Sequence, residues 1–381
     1  MAIRKRQQMK TFIILLIIFS CLFLIQISNR PKRALTKSFI FEKSFEPGTF
    51  DEFILHSNCE CQREVVNIGR KESYYKIKVQ NFAESVYFSY NISKDAFESL
   101  ALTCNLYSVL RKGPHQNVIS YSLDHLIDPA KEVFLEKLAD RLQFMKINYK
   151  NWRMRIYHDN SIDKSLICQK QCMDDTNGDL FDNVDFCDVT QMPVSLFNKW
   201  RADYVHPDLW KWFALGDDFV DRVAIRNKKS CLISRETAAV DEWIKSRKIF
   251  HIMRDHPSQD KEVIDGQWGV FTWLDRNVSR YLFSVSTDQR ILDSYTPNMD
   301  FSDSMLKDYL WPLTKNKSTF SHDSYYCEKY KSISFPTKRE SNCYIGSELC
   351  CSYSPKPQTN LAQICPSECR PVNYEDDWIY C

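Results

Sequence analysis

The chain has 381 residues, 44% hydrophobic and 14% aromatic, with a formal net charge of +2. This length and apolar content are enough to bury a large core, and the composition excludes a disordered tail protein. The near-neutral balance excludes a nucleic-acid surface, which needs clustered positive charge.

Residues 11–28, TFIILLIIFSCLFLIQIS, form one uncharged apolar run, long enough for a thin bilayer and longer than most signal-peptide cores. Lysines and arginines flank it on both sides, so charge does not orient it. The downstream chemistry does: 14 of the 15 cysteines follow the run, with the sequons at Asn91, Asn277 and Asn316. That combination is expected in an oxidising lumen. The reading is a single-pass type II membrane protein of the Golgi or another secretory membrane, with cytosolic residues 1–10, a signal anchor over 11–28 and a stem over 29–50. A cleaved signal peptide is the rival, though no small-x-small site follows the run. The cysteines cluster without repeated CxxC pairs or nearby histidines, which favours disulfides over structural zinc.

Residues 51–114 contain alternating runs, YYKIKVQ and SVYFSYN, and predict a strand-rich lead-in. From residue 117 strands and helices alternate. NVISYSL predicts a strand, and Asp128-Pro129 opens a helix whose Leu135, Leu138, Leu142 and Met145 share a face. WRMRIYHD and NVDFCDV predict strands, PDLWKWFAL a helix, FVDRVAIR a strand, SRETAAVDEWIKS a helix and IFHIM a strand. This is the pattern of an α/β fold with a mostly parallel sheet flanked by helices. Ligands of such sheets sit beyond the carboxyl ends of the strands, which nominates Asp159, Arg226 to Ser230 and Arg254 to His256. A Cys-rich tail over 351–381 ends the chain.

The segments RVAIRNKKS, RETAAVDEWIKS, FHIMRDHP, GQWG, HDSYYC and FPTKR occur in this order. Together they resemble type II membrane glycosyltransferase-like proteins of the GT-A class, over roughly residues 115–350. The resemblance implies a GT-A-like Rossmann-type sheet, a nucleotide sugar donor, and a glycan, glycoprotein or glycolipid acceptor. In that family the strand matching DRVAIR ends in RDxDS, whose carboxylates hold a divalent metal against the donor diphosphate. Here Asn227 and Lys229 stand at the acidic positions, and an ammonium repels a cation. Either the protein is a pseudoenzyme that binds glycans or scaffolds, or Lys229 supplies the metal's positive charge directly; a merely solvated loop is the third reading.

The resemblance places Asp255 and His256 beside the reaction crevice, with Asp255 the preferred general base, and matches Asp303 to an acidic residue near the acceptor. Arg226, Asn227 and Lys229 are the implied donor-binding residues. Gly266 and Gly269 flank Trp268, two glycines in a chain with only eight, and predict a tight backbone beside an aromatic wall for a sugar or nucleotide. His322 is the candidate for a late metal ligand. A disulfide-stabilised ectodomain without sugar chemistry is the remaining alternative.

Overall fold

The computed structural model describes residues 52–59, 64–81, 86–124, 129–172, 180–195, 198–295, 300–316, 318–340, 343–348, 363–372 and 378–381. The expected anchor, the stem and the Asp128 cap lie outside them. Among the described residues no helix is long and apolar enough to cross a membrane.

The lead-in is a four-stranded antiparallel meander, β1 (Glu52–His56), β2 (Glu64–Arg70), β3 (Tyr74–Asn81) and β4 (Val86–Ser93), in spatial order β1-β2-β3-β4. Alternation buries Tyr75, Ile77 and Val79 on one face. That face meets Phe97 of α1 (Lys94–Glu98), whose ring stacks on Tyr75 at 4.1 Å. Helix α2 (Leu106–Lys112) leads into the main sheet and ends at Gly113, which takes φ +71°.

The main sheet has seven strands: β5 (Gln116–Leu123), β6 (Trp152–His158), β7 (Val184–Asp188), β10 (Val220–Arg226), β11 (Phe250–Arg254), β12 (Gln267–Val270) and β13 (Thr319–Asp323). Their order is β13-β11-β12-β10-β5-β6-β7. Strand β12 is antiparallel to both β10 and β11, and the other pairings are parallel. The sheet is therefore mixed and parallel-rich. A short hairpin, β8 (Met192–Ser195) with β9 (Asn198–Trp200), stands apart.

Helices α3 (Pro129–Glu136) and α4 (Leu138–Asn148) cover one face. The expected stripe of Leu135, Leu138, Leu142 and Met145 is buried there with Trp243 of α6 (Ser234–Ser246). Each such side chain contributes about 1.5–3 kcal/mol on burial. On the other face lies Pro207–Gly216, which is a 3-10 helix where the sequence predicts an ordinary one. The diversion has a local cause. The Ser122 hydroxyl accepts from the Lys211 amide, and the Ser120 hydroxyl donates to the Lys211 carbonyl, so β5 competes for the backbone groups of an α-helix. Phe283 of α7 (Arg276–Thr287), following α5 (Lys164–Gln171) and α6 in chain order, packs on this segment at 6.0 Å from Phe213, and a Cβ on Gly216 would strike its ring.

Disulfides are present as expected. Cys59–Cys168 and Cys104–Cys187 tie the lead-in to the main sheet, while Cys327–Cys369 and Cys365–Cys381 tie down the end of the chain. Cys172, Cys231 and Cys343 are also disulfide-bonded. The described residues of the lead-in, the main sheet and the tail belong to one compact unit.

Candidate functional site

From β5 the chain steps outward to β6 and β7, then returns to build β10 on the other side of β5. The strand order reverses between β5 and β10, and ligand crevices of α/β sheets form beyond the carboxyl ends at such a reversal. The residues there are Asp124 after β5 and Asn227 to Ser230 after β10. The reversed β12 adds the residues that precede it, Asp265 and Gly266.

The loop after β10 is fixed from three sides. Arg141 of α4 donates to the carbonyls of Lys228 and Ser230, at 3.1 and 2.8 Å. The Ser230 hydroxyl donates to the Gly346 carbonyl, and the Cys231 amide to the Ser347 carbonyl. Gly266, at φ +77°, lies so close that a Cβ would sit 2.6 Å from the Asn227 nitrogen. Its partner Gly269 would meet the Val223 carbonyl at 2.9 Å. Both glycines thus serve close backbone approach, as their scarcity implies.

Within this loop the two lysines differ. The Asn227 side-chain oxygen accepts from the Lys229 amide, a turn that leaves Lys229 exposed. Lys228 points inward with a side chain 14% exposed, and pairs with Asp124 at 3.1 Å. A second buried pair stands beside it. Lys211, 5% exposed, extends from the 3-10 helix to Asp265 at 2.6 Å. Among the described residues, each carboxylate keeps one buried oxygen, Oδ1 of Asp124 and Oδ1 of Asp265, with no hydrogen-bond partner. Unpaired buried acceptors are rare in folded proteins and cost about 1–3 kcal/mol each. Lys228 and Lys211 therefore stand as paired, largely buried cations at the crevice, and Lys229 as an exposed one.

Several other expected site residues are architectural. Arg226 is fully buried and turned away: it donates to Glu236 at 2.6 Å and to the Trp268 carbonyl at 3.1 Å, while Tyr149 donates to the same Glu236 oxygen. Trp268 is no aromatic wall, because it has no exposed surface and packs edge-on against Trp212 at 5.1 Å. Arg254 spends itself on Asp323 and on the Lys261 carbonyl. Asp159, after β6, is partly buried and caps the Ser161 amide.

Asp255 is also an anchor. Arg235 binds it with two parallel bonds of 3.0 Å, and Arg339, the Ser324 hydroxyl and the Ile345 amide complete the set. Burial pushes this carboxyl up, but Arg235 and Arg339 outweigh it and hold it below the ordinary carboxylate range. A fully engaged, weakly basic and buried carboxylate is poorly suited to take a proton from an acceptor hydroxyl. His256 is half-buried, bonded to Ser258 and tilted on Tyr344 at 4.3 Å, with burial and then Arg339 lowering its basicity.

Asp303 is placed better. It lies on the short helix Phe301–Met305, whose Phe301 stacks at 4.7 Å on His206, the cap of the 3-10 helix that carries Lys211. Lys261 pairs with it. Burial raises its pKa above the ordinary value against the pull of Lys261, and the charges of Asp300 and Asp265 add to the rise. Asp303 thus differs from Asp255 in the direction of its shift and in having Lys261 as its charged partner.

The side chains at the crevice do not fit a divalent metal. Asn227 and Lys229 follow β10 without a carboxylate between them, and Asp124 and Asp265 are each paired with a lysine, Lys228 and Lys211. His322 has both ring nitrogens engaged, Nδ1 at 3.0 Å from His251 Nε2 and Nε2 at 2.9 Å from Glu242. Among the described residues one group has metal-ligand proximity, Asp323, Cys327 and Cys369, and its two cysteines are joined to each other.

Comparison with known proteins adds little. No protein-family model matches the chain, and no curated protein does so significantly. The crystal structure of 4-diphosphocytidyl-2C-methyl-D-erythritol synthase from Anaerococcus prevotii is similar to part of it, with a TM-score of 0.32 and 11% identity over 55% of this chain and 89% of that one. A likeness this shallow bears on neither substrate nor residues.

Of the sequons, Asn91 on β4 and Asn277 in the first turn of α7 are exposed, and the Asn316 side chain lies outside the description.

Proposed function

We propose that this protein binds a nucleotide sugar, without a metal, in the crevice between β5 and β10, as a glycosyltransferase-like protein of the secretory pathway. The resemblance of residues 115–350 to GT-A proteins supports the class, and so does a parallel sheet interrupted by one reversed strand beside the site. The observation that carries the reading is the pair of buried lysines, Lys228 and Lys211, each turned onto a carboxylate with one unsatisfied oxygen.

Charge bookkeeping explains how such a site exchanges partners. Two ammonium groups and two carboxylates sum to zero, so the crevice is neutral when closed on itself. A diphosphate takes over the ammonium groups through charge-assisted bonds, and the spare carboxylate oxygens accept from sugar hydroxyls. Lys228 and Lys211 then stabilise the charge that grows on the departing diphosphate. Asp303 accepts the proton of the attacking hydroxyl on a glycan, glycoprotein or glycolipid. A second reading, binding without transfer, is favoured by one observation: Asp255, the base that the resemblance implies, is locked by two arginines.

Calorimetry against a panel of nucleotide sugars tests the proposal. Binding is expected to persist in chelator, and Lys228→Ala or Lys211→Ala should each weaken it by about 1.5–3 kcal/mol. Binding that disappears with chelator, or that ignores both substitutions, sinks the proposal. Binding without product from any acceptor, unchanged by Asp303→Asn, selects the second reading.

A further inference from the structure

Strand β4 forms an outer edge of the lead-in sheet, and its sequence VYFSYNIS contains neither a charge nor a proline. Open edges are templates for pairing with another chain, and folded proteins guard them with lysine, proline, bulges or brevity. β4 has little of this. It is eight residues long, and its one irregularity falls near its start, opposite Val79 and Gln80. Val86, Tyr87 and Phe88 are 50%, 59% and 39% exposed. The inner face is committed, since Tyr90 stacks with Phe88 and donates through its hydroxyl to the Leu110 carbonyl at 2.7 Å. The outer edge pairs with no other strand among the described residues.

On this strand Asn91 is exposed and begins the sequon Asn91-Ile92-Ser93. We propose that Asn91 carries an N-linked glycan whose role is to guard the β4 edge. Asn91 stands opposite Lys76, on the face it shares with Ser89, and Tyr87 sits at the irregularity, 59% exposed. Tyr87 lies four residue steps away along the strand, about 13 Å at roughly 3.3 Å per residue. A branched, hydrated oligosaccharide rooted there sweeps that length and denies a second strand the alignment it needs.

The chemistry is available before folding. The Asn91 side-chain nitrogen attacks the anomeric carbon of a lipid-diphosphate-linked oligosaccharide; the new C–N bond replaces the C–O bond, the lipid diphosphate departs and the amide gives up one proton. The Ser93 hydroxyl, required by the sequon at that stage, later accepts from the Ala96 amide as the cap of α1. Asn277 differs, because it lies on a helix and guards no strand edge.

The test uses the full chain from secretory-pathway expression, purified in detergent, with glycopeptide mass spectrometry and sedimentation. Asn91 should be occupied. Asn91→Gln should move the protein from monomer towards dimers and larger species at the same concentration, while Asn277→Gln should not. Adding Tyr87→Lys to Asn91→Gln should restore the monomer, because a charge on the strand supplies the missing guard. Four results overturn the proposal: an unmodified Asn91, an Asn91→Gln protein that sediments as wild type, an association that Tyr87→Lys fails to reverse, or a glycosylated wild type already dimeric and split by Tyr87→Lys, which assigns the edge to a second copy.

Discussion

Two sets of buried charges serve the same end of the sheet, and they are finished differently. Asp255 has both oxygens engaged by Arg235, Arg339, Ser324 and the Ile345 amide. Asp124 and Asp265 each hold one lysine and, among the described residues, leave one oxygen unpartnered. A saturated carboxylate is architecture, since any newcomer must break a bond as good as the one it makes, even though Arg235 Nη1 and Arg339 Nε beside it have no partner among the described residues. An unsaturated pair has capacity left for a ligand, at a standing cost to stability. Motif resemblance favours Asp255 as the chemical residue, whereas hydrogen-bond saturation favours the lysine pairs, and the raised pKa favours Asp303.

The strongest way to break this contrast is to remove one member of the saturated cluster. Arg235→Ala leaves Asp255 short of its main partner in a dry site and should cost about 3–5 kcal/mol in chemical denaturation. A loss below about 1 kcal/mol would return Asp255 to the list of free carboxylates. Next comes the glycine that brings the loop to the strand. Gly266→Ala forces a side chain into a left-handed conformation, about 1–2 kcal/mol for the backbone alone, and drives its Cβ at the Asn227 nitrogen. Ligand binding should fall with it, and an unchanged titration would mean that loop position is irrelevant to the site.

A third test concerns pH. Burial, the neighbouring His322 and Arg226 hold His251 well below the usual histidine range, so the folded state stays neutral there while the unfolded chain takes up a proton. The sign follows: this stability is present above about pH 6.5 and is lost as pH falls below it, at up to about 1.4 kcal/mol per pH unit. Melting temperature should decline across that window, and His251→Phe should flatten the decline. The smallest effect sharpens the comparison of the two lysines. Lys229→Ala, at an exposed side chain, should change stability by no more than about 0.5 kcal/mol and leave ligand affinity intact. An affinity loss equal to that of Lys228→Ala would restore Lys229 as the donor-facing cation.

The long elements were legible in the sequence because their patterns are redundant. NVISYSL, WRMRIYH and VDRVAIR are short runs rich in β-branched, aromatic and other apolar residues, and SRETAAVDEWIKS forms one helix over the span read from it. Strands β12 and β13 escaped because QWGV is only four residues and TFSHD alternates weakly. Lys211 was also hidden, although a lysine inside DLWKWFAL was a signal in itself, since a charge within a fully buried run needs a partner. Asp124 stands where the carboxyl-end rule points and could have been named by it. Which lysine of Asn227-Lys228-Lys229 faces inward was beyond sequence, because one side-chain turn at Asn227 decides it.

The staples Cys59–Cys168 and Cys104–Cys187 join positions 109 and 83 residues apart. Both cross the stretch where the lead-in gives way to the main sheet. A protease that nicked the exposed turn at Pro114 and His115 would therefore release no fragment, and the severed halves would separate only after treatment with a thiol. A cut there would leave the two pieces joined as one molecule.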